Sequence, residues 1–201
     1  MTKIWTFFKR WFIEMGSPPL FYRWSSKALV WLGVSSIITL SLGLFMGIGL
    51  SPADYKQGDV YRIIYIHVPS AIMGESIFIF MALCGFINII WRAKISGMLL
   101  KAAAPIGMSF VLLVLTTGSI WGKPTWGTWW VWDARLTSTL ILFFIYAALI
   151  GLHSTIEDKI KADRAVSILA IVGVAIIPAV SYTHLRAHET KANLVCRLLL
   201  E

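Results

Sequence analysis

An all-α polytopic integral membrane protein with five transmembrane helices is the fold class this sequence predicts, on three observations. Hydrophobic residues make up 58% of the chain and charged residues 14%, with a mean hydropathy of +0.75. Soluble domains carry about 25% charged residues, so this balance belongs to a membrane protein. Uncharged runs of ~20 residues, enough to cross a bilayer, recur along the chain. Lys and Arg are gathered into the short segments between those runs, where they set topology. That clustering also removes the nucleic-acid reading that a formal charge of +8 would otherwise invite. Five spans take about half the chain and leave no room for a sizeable soluble domain.

Residues 1–27 form a basic, aromatic segment. Lys3, Lys9, Arg10, Arg23 and Lys27 face a single acid, Glu14, and are interleaved with Trp5, Phe7, Phe8, Trp11 and Phe12. The pattern predicts an interfacial stretch. It contains no compact apolar core followed by a small-residue cleavage site, so no removable signal peptide is expected. A membrane domain is predicted over residues 28–180. The 26 uncharged residues between Lys27 and Asp54 make the first span, closed by Pro52 and Gly58 in a short loop. The second runs from about Ser70 to Trp91, the third from Ala102 to Ile120 and the fourth from Leu136 to His153. A fifth starts near Ala165 and has only 16 residues to Val180, at the short limit for a span.

Counting Lys and Arg by side gives eleven on the side of the N-terminus and four on the other. By the positive-inside rule the N-terminus is cytoplasmic and the connection between the third and fourth spans faces outward. Cys84 and Cys196 form no Cys-x-x-Cys pair, and thiol chemistry is not expected.

That outward connection, residues 121–136, carries the densest signal in the chain. It reads Trp121-Gly-Lys-Pro-Thr-Trp126-Gly-Thr-Trp129-Trp130-Val-Trp132-Asp133-Ala-Arg135-Leu-Thr137, with five of the ten tryptophans inside twelve residues. Gly122, Pro124 and Gly127 disfavour helix at its start. From Thr128 onward helix is expected, which would put Trp126, Trp129, Trp130 and Asp133 on one face at i, i+3, i+4 and i+7. Indoles also gather at membrane interfaces simply as anchors. Anchoring, however, requires no shaped backbone, whereas a planar ligand with polar edges would use stacked indoles, a carboxylate and an arginine together. Asp133 and Arg135 have a plain reading, as helix start and interfacial anchor, beside the reading that they orient such a platform.

The motif Trp-Gly-x-Pro-x-Trp-Gly-x-Trp-Trp-x-Trp-Asp-x-Arg-Leu-Thr resembles the tryptophan-rich signature of the haem-handling proteins of cytochrome c maturation. Its Asp-Ala-Arg-Leu-Thr ending is similar to the protein C branch of that family, and the resemblance extends from about Tyr22 to Pro178. It implies haem bound transiently as a b-type cofactor, with Trp121, Trp126, Trp129, Trp130, Trp132, Asp133 and Arg135 around it. His67, just before the second span, matches the family's haem-ligating histidine and is thereby the implied metal ligand; imidazole is a common axial ligand to haem iron. The resemblance further implies a carrier and not an enzyme, placed in the bacterial inner membrane with its tryptophan-rich loop in the periplasm. Its implied partners are a periplasmic haem chaperone, ABC-type transporter subunits and a small single-span protein.

Two alternatives stand beside it. One is a cytochrome c synthase-type enzyme, whose signature differs after the Asp, where this chain has Ala134-Arg135-Leu136-Thr137. The other is a haem b anchor subunit of a respiratory complex, which would want histidine pairs inside facing spans. Glu75, about two turns from His67, reads equally as a water-exposed structural carboxylate or as a site residue. His153 lies at the other end of the fourth span, away from the motif. The family usually adds a sixth helix and a second axial histidine. His184 and His188 fall near that point by count, but residues 181–201 change composition abruptly and read as a non-native tail, so neither histidine is given the role.

Overall fold

In the computed structural model residues 17–178 are described, together with Thr6. The remainder of the basic N-terminal segment before Ser17, and the tail with His184 and His188, lie outside the described residues. Every regular element among the described residues is helical. Helix α1 spans Pro18–Leu44 and widens into a π-helical segment over Phe45–Leu50. A short 3-10 turn, Asp59–Ile63, leads into α2, Ile64–Trp91. Then follow α3, Lys94–Trp126, α4, Ala134–Thr155, and α5, Lys159–Gly173.

Four of these segments, Pro18–Leu50, Asp59–Trp91, Lys94–Trp126 and Ala134–Thr155, are long and apolar enough to cross a membrane. The chain is therefore a multi-pass, all-α membrane protein, as its composition predicts. The predicted fifth span is the shortest α-helix among the described residues: α5 has 15 residues, and after a turn at Val174 helix resumes to Pro178, the last described residue.

The helices overrun their predicted ends. Apolarity marks the part of a helix inside lipid, whereas hydrogen bonding and caps decide where the helix stops. Ser17 and Pro18 start α1 about ten residues before the uncharged run, with proline at a first-turn position that needs no N–H. In α2, Pro69 sits inside the first turns, so His67 is on a helix and not in the connection before it. In α3, Gly122 and Pro124 do not break the helix as expected. Thr125 donates its hydroxyl to the Trp121 carbonyl at 2.7 Å, adding a bond beside the one that Pro124 cannot make. Only Gly127 stops the helix. It adopts φ 77°, a left-handed conformation that glycine enters without strain, and its N–H bonds the Lys123 carbonyl at 3.0 Å.

Helices α2 to α5 form the bundle. α2 packs on α3 and α5, and α4 packs on the same two, giving an up-down-up-down ring with short connections. Its core joins Phe78 and Met81 of α2, Leu100 and Val111 of α3, Leu142, Tyr146 and Leu149 of α4, and Val166 of α5. Tyr146 is the largest fully buried side chain among the described residues. Its ring meets Phe78 edge-on at 5.1 Å, and its hydroxyl donates to the Gly74 carbonyl at 2.8 Å. The ring passes directly over Gly107, where any Cβ would overlap it. Small residues at such crossings let backbones approach, which is how helices associate in lipid without a hydrophobic drive between them. α1, by contrast, has no buried residue.

At the end away from the tryptophan motif, Asn88 donates to Ser167 Oγ at 3.0 Å and His153 Nε2 lies 3.2 Å from an Asp163 carboxylate oxygen. These contacts tie α2 and α4 to α5. His153 therefore has a structural partner far from the motif.

A candidate ligand cavity at the tryptophan-rich end

A cavity of about 550 Å³ opens between α2, α3 and α4 at the end that carries the motif. That volume is within the usual range for small-molecule and cofactor sites, roughly 300–1,000 Å³. Apolar side chains such as Val68, Val111, Val114, Leu115 and Leu142 form most of its wall. The polar groups that converge on it are His67 and Glu75 from α2, Trp121 and Trp126 from α3, Arg135 and Thr139 from α4, and Lys56 and Gln57 from the loop after α1.

Each is placed by local backbone chemistry. His67 and Glu75 share the cavity face of α2, two turns apart. The imidazole Nδ1 lies 2.9 Å from Thr117 Oγ1, across on α3. The ring rests against Gly118, where a Cβ would come within 3.2 Å of Cε1. The Trp121 indole meets the imidazole edge-on at 5.8 Å, and its Nε1–H donates to Gln57 Oε1 at 2.7 Å. Gln57 is presented by a tight loop in which Asp54 Oδ1 accepts the backbone N–H groups of Lys56 and Gln57. Arg62 donates to the Ser51 carbonyl at 2.8 Å and anchors the loop's start.

Asp133 caps α4, accepting the Leu136 N–H at 2.7 Å, and pairs with Arg135 at 2.9 Å. This holds the guanidinium over the Trp126 ring at 5.5 Å. Asp133 is thus the helix start that its plain reading expects, and the same carboxylate holds Arg135 in place.

The single helical face expected through Trp126, Trp129, Trp130 and Asp133 does not form. Residues 127–133 are irregular, since α3 continues to Trp126 and α4 cannot start before its cap at Asp133. The five indoles therefore divide. Trp121 and Trp126 line the cavity. Trp129 and Trp132 are exposed outside its lining, Trp132 to 76%. Trp130 meets Trp132 edge-on at 5.6 Å, and its buried Nε1–H has no hydrogen-bond partner. Of the eight residues expected at the site, His67, Trp121, Trp126 and Arg135 meet in one cavity, whereas Trp129, Trp130, Trp132 and Asp133 stand outside its lining.

Sequence reading missed Lys56, Gln57, Thr117 and Gly118. A usable signal existed for the last two: Thr116-Thr117-Gly118 places small and polar residues inside an apolar run, the usual mark of a close helix–helix contact. Nothing in local sequence could pair Gln57 with Trp121, which are 64 residues apart.

Chemically, the cavity offers apolar walls, indole faces and edges, one imidazole, and two cationic side chains, Lys56 and Arg135, in its lining. Among the described residues no three His, Cys, Asp or Glu side chains converge to hold a bare metal ion. A lone imidazole suits an axial position on a metal that a macrocycle already holds.

The family model described as heme exporter protein C matches residues 11–186. The chain is 45% identical over 170 residues to the heme exporter protein C of Escherichia coli (strain K12), covering 85% of this chain and 69% of that protein. It is 39% identical over 174 residues to that of Haemophilus influenzae, covering 87% and 71%. To the protein of the same name from Paracoccus denitrificans it is 41% identical over 160 residues, covering 80% and 66%. A match this long, running through the helices and residues that build the cavity, means that the chain belongs to the heme exporter protein C family.

Proposed function

We propose that the chain handles haem in cytochrome c maturation, holding it in the cavity between α2, α3 and α4 and releasing it to an acceptor. The convergence of His67, Trp121, Trp126 and Arg135 on one apolar cavity carries this reading. His67 supplies an axial ligand to the iron, and the two indoles contact the porphyrin. Arg135, with Lys56, meets the anionic propionates at the rim. The haem is b-type, bound without a covalent link, and held transiently. The protein works as a carrier and not as an enzyme, in keeping with the name its relatives share.

In this reading the N-terminus is cytoplasmic and the tryptophan-rich end faces the periplasm of a bacterial inner membrane. Exposed Trp129 and Trp132 meet a periplasmic haem chaperone there, beside ABC-type transporter subunits and a small single-span partner. Reporter fusions at residue 128 are expected to be active only outside, and fusions at residue 160 only in the cytoplasm. The reverse pattern would remove the periplasmic acceptor from the scheme.

Two double variants test the cavity itself. Trp121→Ala with Trp126→Ala is expected to lower haem retained on the purified protein roughly tenfold, since each aromatic contact contributes about 0.5–1.5 kcal/mol. Trp129→Ala with Trp132→Ala should keep the haem and slow its transfer to the chaperone. Haem loss confined to the second pair, with the first pair retaining haem, would mean that haem lies on the exposed loop and not in the cavity.

A further inference from the structure

We infer that Thr117 is a positioning residue that sets the tautomer and donor strength of His67, an inference that rests on His67 being the iron ligand. A threonine hydroxyl has one proton to give. In α3 the Thr117 Oγ1 lies in hydrogen-bonding geometry to the Leu113 carbonyl and 3.3 Å from the Val114 carbonyl, neither of which can donate. Thr117 is buried, at 9% exposure. Its proton is therefore committed to its own helix, the usual back-bond of a threonine in an apolar span. What faces His67 Nδ1 at 2.9 Å is an oxygen lone pair.

The Thr117 geometry then assigns the proton at Nδ1 of the imidazole. Nδ1 carries the proton and donates it to Thr117, so in the neutral ring the lone pair is on Nε2. Three α3 residues hold the ring: Thr117 binds Nδ1, Gly118 gives it room, and Trp121 meets it edge-on. A partner that draws on the Nδ1 proton makes the other nitrogen a stronger ligand, and it stops the ring turning. The acceptor here is a hydroxyl already polarised by its own donation to the backbone.

The full chain, reconstituted in detergent and titrated with haem, separates this inference from the reading beneath it. Thr117→Val keeps the shape and removes the acceptor. It is expected to weaken haem binding about tenfold, the lower end for loss of a partner behind a metal ligand. It should also raise the haem midpoint potential, because a weaker donor stabilises the ferric state less. Thr117→Ser restores the acceptor and should return both values to those of the parent. Thr117→Ala, which adds no bulk, is read in the same way if the valine variant does not accumulate. Unchanged potential in the valine or alanine variant, or failure of serine to restore it, overturns the inference even if affinity falls. His67→Ala is run alongside. If that variant keeps the parental haem spectrum, the iron ligand is elsewhere and the underlying reading fails, whatever Thr117 does.

Discussion

Replacing His67 by alanine is expected to strip most of the haem from the purified protein and to shift the absorption spectrum of what remains. The loss should be roughly a hundredfold in affinity or more, because removing only the partner behind a metal ligand already costs about 10–100-fold. The imidazole reaches the cavity from the first turns of α2, held against Thr117 and Gly118 of α3. Removing it leaves a space of the right shape for a free imidazole. Added imidazole should therefore restore much of the original spectrum, while an amine of similar basicity but no planar ring should not. His153→Ala is the matched control, since His153 lies at the other end of the bundle beside Asp163. It should lose some stability and none of the spectrum. Haem binding that survives His67→Ala unchanged would leave the cavity without its proposed ligand.

The second large effect concerns the bundle itself. Gly107→Val is expected to destabilise the folded protein by about 1–3 kcal/mol, the usual range for forcing bulk into a closely packed crossing. The Tyr146 ring occupies the space that a side chain at 107 would need, and because that ring is fully buried it cannot swing aside without disturbing the core around it. Displacing that ring also loses its edge contact with Phe78 and its bond to the Gly74 carbonyl, the latter about 0.6 kcal/mol by membrane-protein averages. Thermal unfolding in detergent, followed by size-exclusion of the intact protein, measures the result. Shrinking the partner should compensate, so Gly107→Val with Tyr146→Leu should be more stable than Gly107→Val alone. A single variant as stable as the parent would mean that α3 and α4 can separate without cost. The site would then owe its geometry to something other than this crossing.

Both expectations depend on side chains that meet across helices, and the sequence was informative in a different way. It determined the membrane class, because a bilayer admits only long apolar helices or closed barrels and the uncharged runs are visible without any fold. It also determined the family, because the tryptophan motif is continuous in the chain, and it picked out His67 by resemblance. It set helix ends poorly. Pro124 looks like a break, yet α3 runs through it and a threonine adds a backbone bond beside it. The indoles show the limit most clearly. Sequence spacing put Trp126, Trp129, Trp130 and Asp133 on one face, but that inference assumes a continuous helix, and Gly127 ends α3 just after Trp126.

What only the tertiary structure decided is which polar groups share the cavity. His67 meets Thr117 fifty residues away, and Trp121 meets Gln57 sixty-four away. Contacts of that kind are fixed by how α2 and α3 cross, and the crossing depends on where small residues let backbones touch. Local pattern records which residues a helix can present. The partners they meet follow from the packing of the bundle as a whole.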